Sequence, residues 1–215
     1  MKLFKTRTAR ALGAGLLALA APAALVAPAV PAAAAENQMD KAVKALRAIS
    51  TMKANFTQID RGGGQLTGKM TLKRPGKVRF EYQKDVPVLI VSDGSRLTML
   101  DYEVSQKQVW PIKNSPLGAL LQPDGDIAKY GTLMPTNHPD VTSIRIKDPE
   151  HPEYGTMTMI FERKASAPGG MQLAGWVAVD AQNKMTRIQL SGHRYGMDVS
   201  NGTFMFKDVS PRKKR

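Results

Sequence analysis

The sequence contains no cysteine among its 215 residues, which excludes disulfides, thiolate catalysis, thiolate metal sites and attachment of lipid to a thiol. Histidine occurs only three times, and two of the three, His138 and His151, lie in predicted proline-rich loops. Aromatic residues make up only 6% of the chain. So few rings leave room for a cavity if the chain forms a barrel.

No set of residues predicts a catalytic centre, since a hydrolase needs a nucleophile, a base and a group that orients the base. Ser92 in VSDGS lacks the flanking glycines of a nucleophile elbow and is typical of a hairpin turn. Asp124 and Asp126 lack the distal glutamate of a calcium loop, and RGGGQ precedes a strand, unlike a phosphate-binding loop. We expect no enzyme, cofactor or metal. An enzyme acting on lipids is an alternative that substitution of Ser92 or His193 would test.

The N-terminus has the pattern of an export signal. Four cations and no acid in the first ten residues are followed by an Ala-, Leu- and Val-rich run that ends in PAAAAE. Small residues at Ala33 and Ala35 predict cleavage before about Glu36. We expect residues 1–35 to be a cleavable signal peptide and residues 36–215 to form a single domain, located in the periplasm if the source is Gram-negative.

The predicted mature chain is strongly basic. It retains 27 of the 31 Lys and Arg residues, because four lie in the signal, against all 18 Asp and Glu residues, so its net charge is +9. Such a charge favours anionic membrane surfaces or acidic partners. Binding of nucleic acid is not expected, because the few aromatic residues share an apolar face instead of alternating with Lys and Arg on an exposed one.

Hydrophobic periodicity predicts one helix followed by many strands. Helical spacing predicts an amphipathic helix over residues 39–56, with an apolar face of Met39, Val43, Leu46, Ile49 and Phe56. After the glycines at 62–64 the period changes to two. This period predicts strands at residues 66–72, 78–82, 88–91, 97–100, 104–112, 141–147, 156–163, 171–180, 184–191 and 203–209, with a loop at about 133–141. Close neighbouring strands predict an antiparallel meander that curls towards a barrel.

A short helix interrupts the strands at NSPLGALLQPDGD, where Ser115 is a suitable N-cap and Pro116 fits the first helical position. Its apolar side carries Leu117, Leu120 and Leu121. A helix this short is not stable alone in water, so it must pack on an apolar surface.

The inward-facing positions of the strands are rich in methionine and contain one arginine. Methionine is flexible and polarisable, so it suits a surface that accepts varied apolar shapes, although ordinary core packing explains each one singly. Arg74 continues the parity of Met70 and Leu72 and interrupts an otherwise apolar stripe. The methionines at predicted inward positions are Met70, Met99, Met157, Met159, Met171 and Met185.

The order of these segments resembles the LolA family, periplasmic chaperones that carry lipoproteins to the outer membrane. The resemblance rests on the order and spacing of MKANFTQ at a helix end, GQLTGKMTLKRPGKVRFEY, LIVSDGSRLTMLD and the SPLGALL helix. It implies a mainly β fold with α-helix, namely an incomplete (unclosed) antiparallel β-barrel lined with apolar side chains and covered by a helical lid. It also implies a monomer that works with acylated lipoproteins, an inner-membrane lipoprotein-releasing ABC transporter and an outer-membrane lipoprotein acceptor.

The resemblance gives Arg74 the role of a latch that hydrogen-bonds the lid backbone and holds the empty carrier shut. Exposed carbonyls at the end of a short helix are natural acceptors for a guanidinium on an apolar face. An arginine that reaches water beside a proline turn is the alternative. The cavity and lid lining expected from the resemblance is Phe56, Met70, Leu72, Val78, Phe80, Val91, Leu97, Met99, Leu117, Leu120 and Leu121.

The fold alone does not decide the function, because periplasmic sensors and exported lipid-binding proteins share it. A lipid-binding or lipoprotein-sensing protein is therefore the alternative to a carrier. Two features depart from the expectation for a carrier. Gly118 is a poor helix former within the predicted lid, and a charge of +9 opposes release from an anionic membrane.

Overall fold

The computed structural model describes residues 32–112, 118, 121 and 127–209, with side chains from residue 38 onward except those of residues 128 and 129. Most of the predicted signal lies outside these residues, so its removal stays a prediction. Leu117 and Leu120, two of the three leucines of the predicted lid, also lie outside the described residues.

Eleven strands form one sheet, and every neighbouring pair is antiparallel. The spatial order is β6-β5-β4-β3-β2-β1-β11-β10-β9-β8-β7, so β6 and β7 are the edges and the barrel is not closed. This confirms the predicted fold class. The strands are β1 (Thr51–Asp60), β2 (Gln65–Lys73), β3 (Lys77–Tyr82), β4 (Val88–Asp93), β5 (Arg96–Asp101), β6 (Gln106–Pro111), β7 (Gly131–Met134), β8 (Val141–Ile146), β9 (Thr156–Arg163), β10 (Met171–Val179) and β11 (Met185–Tyr195).

One long helix, α1 (Ala32–Ala48), packs on the sheet, and a single turn of helix, α2 (Ile127–Tyr130), leads into β7. The buried side of α1 contains small residues, Ala42 and Ala45, beside Leu46. Small side chains allow close approach: a Cβ added to Gly169 would lie 2.7 Å from the Cα of Ala45. Among the helices that the structure describes, none combines the length and apolarity that crossing a bilayer demands.

The predicted helix over residues 39–56 is wrong in its last part. It ends at Ala48, and Thr51–Asp60 forms β1 at the centre of the sheet, between β2 and β11. Met52, Ala54 and Phe56 alternate as buried residues with less buried neighbours, which is the period of a strand. The seven-residue step from Ile49 to Phe56 fits a helix equally well, and this coincidence concealed the strand.

Two further segments differ from the predictions. Leu133 and Met134, at the start of the predicted loop, belong to the short edge strand β7 (Gly131–Met134). The predicted strand at 203–209 does not form; a 3-10 turn at Asn201–Phe204 is followed by irregular chain. This segment crosses the sheet and contacts it mainly through side chains, so its apolar alternation is not that of a paired strand.

The sheet buries apolar side chains on both of its faces. The face on which α1 packs is called the inner face, and its buried core includes residues of α1, Ile112, Leu121 and Ile127 together with strand residues. The opposite, outer face carries a smaller cluster beneath residues 197–209, which we call the strap. The members of this second cluster are Leu89, Val91, Leu100, Val199 and Phe204, with Met197 and Val209 packed against them.

Val91, predicted to line the cavity, lies instead in the cluster on the outer face. Strand β4 has the sequence VLIVSD and is apolar at both parities, so alternation does not indicate which parity faces inward. The register decides it, because Phe80 pairs with Ile90 and cross-strand pairs share a face. Met185 was also expected to face inward, but it has the parity of the exposed Arg187 and differs from that of the buried Ile188.

Candidate functional site

The inner face joins most of the predicted lining residues into rows that run across the strands. Phe56 pairs with Gly68, Met70 pairs with Phe80, and Leu72 pairs with Val78. The next strands extend the row from Phe80 through Ile90 to Met99, which is half-buried. Phe56, Met70, Leu72, Val78 and Phe80 are buried in the main core, and Leu97 packs against it.

Four aromatic rings form a chain along this face. The ring of Phe56 meets Tyr82 at 5.1 Å and Phe80 at 5.4 Å, and Phe80 meets Trp176 at 6.1 Å, all edge to face. Gly68 makes room for this chain, because a Cβ at Gly68 would lie 2.5 Å from the ring of Phe56. The rings form a continuous apolar row within the buried core of the inner face.

Trp176 was missed as a lining residue because a β-bulge changes the parity of β10. The register with β9 shifts between Leu173 and Gly175, so Leu173 and Trp176 are both buried in the main core although their numbers differ by three. A bulge of this kind reverses which residues face inward and gives no alternating signal in the sequence.

The few polar groups of the inner face are held in neutral forms. The hydroxyl of Tyr82 donates to Gln58 Oε1 at 2.6 Å, and burial raises the pKa of Tyr82 to about 12. Burial also raises the pKa of Tyr195 to about 12, and its buried hydroxyl has no hydrogen-bond partner in the described ranges. His193 donates from Nε2 to the carbonyl of Leu173 at 2.9 Å, and burial lowers its pKa. These groups suit an uncharged ligand.

Arg74 connects two segments that cover the inner face. Its Nε donates to the carbonyl oxygen of Ile49 at 2.9 Å, just after α1, and its Nη1 donates to the carbonyl oxygen of Leu121 at 3.1 Å. The family resemblance implied a bond to the lid backbone but not the bond to Ile49. One guanidinium therefore fastens the end of α1 and the lid segment to the turn after β2.

The turn that carries Arg74 is itself fixed by hydrogen bonds. The backbone N–H of Gly76 donates to the same Leu121 carbonyl at 3.1 Å, while the carbonyl of Gly76 accepts from Ser92 Oγ at 2.6 Å. Ser92 also accepts from the N–H of Gly94 at 3.1 Å. Gly76 has φ +68°, and a Cβ there would lie 2.8 Å from Gly94. The fully buried Ser92 thus supports the turn that carries Arg74.

The sequence also matches a known protein family. The model of the outer membrane lipoprotein carrier protein LolA matches residues 47–207, well over half of the chain. The chain belongs to the LolA family. The relatives include outer-membrane lipoprotein carrier proteins of Dechloromonas aromatica, 29% identical with 78% of this chain and 82% of the relative covered, and of Pseudomonas putida strain W619, 28% identical with 80% and 83% covered.

Solved structures with a similar chain path have low sequence identity. A LolA superfamily protein from Nitrosomonas europaea is 10% identical, with a TM-score of 0.46 and coverage of 80% of this chain and 97% of the other. A MucA/MucB complex of Pseudomonas aeruginosa is 12% identical, with a TM-score of 0.46 and coverage of 81% and 61%.

The lid of this LolA-family member is described at two positions, Gly118 and Leu121, both helical and buried. Packing explains why glycine occupies position 118 despite its low helix propensity, because a Cβ there would lie 2.6 Å from the carbonyl oxygen of Ile112. Leu121 joins the main core with Ile112 and Ile127. Glycine therefore lets the lid lie directly on the backbone of Ile112, just after β6.

The residues considered for catalysis do not meet. Ser92 is on β4 and His193 is on β11, and three strands separate β4 from β11 in the sheet. Strands lie about 4.8 Å apart, so the two side chains are far beyond hydrogen-bond reach. In the ranges that the structure describes, no group of three or more His, Asp or Glu side chains is arranged to hold a metal ion.

Proposed function

We propose that this protein is a periplasmic carrier that shields the acyl chains of lipoproteins against its inner face and takes them from the inner to the outer membrane. The observation that supports this most directly is the position of Arg74, whose bonds join the lid segment and the end of α1 above an apolar, methionine-rich face. The names of its LolA-family relatives support lipoprotein cargo.

The energetics require such a shield. Each buried methylene contributes about 0.8 kcal/mol, so two or three acyl chains expose apolar surface equivalent to roughly 25–35 kcal/mol in water. Free diffusion of the cargo through an aqueous compartment is therefore excluded. Phe56, Phe80 and Trp176 provide rigid walls, while methionines such as Met70 and Met159 adjust to the shape of the chains.

Loading and release follow from the latch. Acyl chains that enter beneath the lid displace Leu121 and break its bonds with Arg74 and Gly76. The empty, closed state regains these bonds, which lowers the free energy of release. Cargo then passes from the inner-membrane releasing transporter to the carrier and on to the outer-membrane acceptor. The unpartnered hydroxyl of Tyr195 offers a donor to an ester or amide carbonyl of the cargo.

The first experiment is in-cell photo-crosslinking from position 80, with adducts identified by mass spectrometry. Position 81 is the matched control, because Glu81 is the next residue of β3 and is exposed on the other face. Acylated lipoproteins at position 80 and not at position 81 are expected. Adducts with phospholipid alone, or with a single non-acylated protein, would instead identify a lipid-binding or sensing protein.

The second experiment tests the latch with Arg74→Leu. We expect this variant to load cargo but to fail in transfer to the acceptor, because the closed state no longer regains the bonds to Ile49 and Leu121. Arg79→Leu is the control, since Arg79 lies on the neighbouring strand but donates to the strap carbonyl of Met205. Unimpaired transfer by Arg74→Leu would refute the latch.

A further inference from the structure

A small cavity opens on the outer face of the sheet, where β11, β1, β2 and β3 run side by side. Its volume is about 210 Å³. This is below the roughly 300–1,000 Å³ of sites for larger organic ligands, and it is several times the roughly 30 Å³ of one water molecule. We call it the basic cavity, and its lining is Lys53, Ala54, Asn55, Lys69, Met70, Thr71, Glu81, Gly192 and Arg194.

The register of the strands brings three cations to the basic cavity. Arg194 pairs directly with Lys53 across β11 and β1, and Thr71 pairs with Lys53 from the other side. In the next row Asn55 pairs with Lys69. Side chains in neighbouring rows lie close enough for long cations to reach one point. Like charges directly opposite each other destabilise a sheet, so an anion bound between Lys53 and Arg194 would remove this repulsion.

The one carboxylate in the lining is already paired with cations. Glu81 pairs with Lys69 across β2 and β3, and it accepts a hydrogen bond from Arg79 at 3.0 Å. Because Arg79 balances Glu81, the charges of Lys53, Lys69 and Arg194 remain. None of these three side chains has a hydrogen-bond or ion-pair partner within the described ranges. Four cations against one carboxylate leave a net charge of +3 around the basic cavity.

Two neutral donors complete the lining. Thr71 is only 6% exposed, and its hydroxyl has no hydrogen-bond partner in the part of the chain that the structure describes. A shielded hydroxyl without a partner is unfavourable, and a ligand in the cavity would supply the acceptor. The amide of Asn55 lies against Gly192, where the register of β1 and β11 shifts and a Cβ would lie 3.1 Å from Asn55 Nδ2. Glycine therefore leaves room for this amide beside the cavity.

We propose that the basic cavity binds a phosphate group. Its side chains offer ammonium, guanidinium, hydroxyl and amide donors, and a phosphate group has enough acceptor oxygens to use them together. The fork of a guanidinium such as that of Arg194 also matches phosphate geometry. An acidic peptide fits less well, because its carboxylates are spaced along a chain whereas these donors surround one small cavity. Free phosphate and the phosphate ester of a lipid headgroup share this chemistry.

Phosphate binding at this site does not depend on the inner face or on the proposed cargo. Lys53 and Asn55 alternate along β1 with Ala54 and Phe56, which are buried in the main core. A protein that carried no lipoprotein could still bind phosphate here, and a carrier could lack this property. Separate measurements therefore test the two proposals.

The test is isothermal titration calorimetry of the purified protein with inorganic phosphate in Tris chloride buffer, with thermal unfolding measured in parallel. We expect saturable binding that weakens as sodium chloride rises, and a Tm that rises with phosphate. The double variant Lys53→Gln, Arg194→Gln should bind at least about tenfold more weakly. Without phosphate this variant should unfold at or above the Tm of the unchanged protein, because it lacks the like-charge pair.

Two matched variants separate the cavity from general charge. The double variant Lys147→Gln, Lys164→Gln removes two charges from exposed positions elsewhere and should bind phosphate within about twofold of the unchanged protein. Thr71→Val keeps every charge and nearly the same shape, so its expected loss of about three- to tenfold reports the hydroxyl alone. An equal loss in the lysine control would overturn the proposal. Full binding by the variant of Lys53 and Arg194, or acetate binding as tight as that of phosphate, would also overturn it.

The source of the phosphate group is distinguished with glycerol 3-phosphate. This probe has the phosphate ester of a lipid headgroup but no acyl chain that could bind the inner face. Tighter binding of the ester would support the site and identify a headgroup as the source, whereas tighter binding of inorganic phosphate would support the site and identify the free ion. Binding of neither probe, with an unchanged Tm, would overturn the proposal.

Discussion

The two apolar clusters of this protein lie on opposite faces of one sheet and are closed in different ways. Above the inner face, one guanidinium, on Arg74, joins the end of α1 and the lid segment. On the outer face the strap is anchored along its length. The anchoring side chains are Thr51 on Met197, Lys73 on Val199, Lys77 on Asn201, Arg79 on Met205, Tyr102 on Lys207 and Lys107 on Asp208.

The way in which each segment is held bears on whether it can open and on how much it stabilises the fold. Exposed polar contacts are worth little singly, but contacts spread along a segment must all be broken before it leaves. On the inner face, by contrast, the side chain of Arg74 links two segments at one point, beside the bond from Gly76 to Leu121. The strap is therefore expected to stay on the sheet, and in the proposed latch the lid side is the part that opens. Three substitutions test this comparison.

The largest effect is expected from Phe204→Ala, which leaves a cavity beneath the strap. Phe204 is 6% exposed and packs with Leu89, Val91 and Leu100, so its loss should lower the free energy of unfolding by about 3–5 kcal/mol. Urea denaturation monitored by circular dichroism measures this. Met205→Ala is the neighbouring control and should change stability by less than about 0.5 kcal/mol, since the side chain is exposed. A small loss from Phe204→Ala would show that the strap is not a structural element.

A smaller effect is expected from Ser92→Ala, which removes a buried hydroxyl from the support of the latch. The carbonyl of Gly76 and the N–H of Gly94 would each lose a partner, and we expect a loss of about 1–3 kcal/mol. Ser95→Ala in the same hairpin is the control, because Ser95 is exposed. Stability close to that of the unchanged protein, together with unchanged cargo transfer, would show that Ser92 does not support the turn of Arg74.

The smallest effect concerns pH and His193. Burial lowers its pKa in the folded state, so the unfolded chain binds more protons below about pH 6.5 and stability falls as the pH falls through that range. In His193→Gln, which can still donate to the Leu173 carbonyl, this part of the pH dependence should disappear. Thermal unfolding between about pH 5 and 7.5 tests it. An identical pH slope in both proteins would assign the dependence to other groups.

Much of the sheet could be predicted because turn residues separate alternating segments. The strand at 156–163 is predicted with its observed bounds, and RPGK correctly separates β2 from β3. The sequence did not reveal β1, because the spacing of Ile49 and Phe56 fits a single helix. In the structure Ile49 follows the end of α1 and Phe56 lies in the middle of β1. Periodicity cannot resolve a helix that passes into a strand within three residues.

The part of the candidate site that could be predicted is the position where a charged residue interrupts an apolar pattern. Arg74 stood out because a guanidinium interrupted an apolar stripe. The family resemblance implied the lid backbone as its acceptor, and the structure identifies that acceptor as the carbonyl of Leu121. Val91 and Trp176 could not be placed: one lies in a strand that is apolar on both faces, and the other follows a bulge. Burial on both faces and changes of parity are tertiary properties that a single sequence does not display.

The unpaired edge strands of the sheet affect the volume that the inner face can enclose. In a closed barrel the strand number and stagger fix the radius, so the interior has one size. Here β6 and β7 end the sheet without pairing to each other, so it can unroll a little while every interstrand hydrogen bond is kept. In the proposed carrier, the cargo would then set the curvature of the sheet. A wall of this kind would enlarge by bending, so the proposed carrier would accommodate acyl chains of different bulk without a different fold.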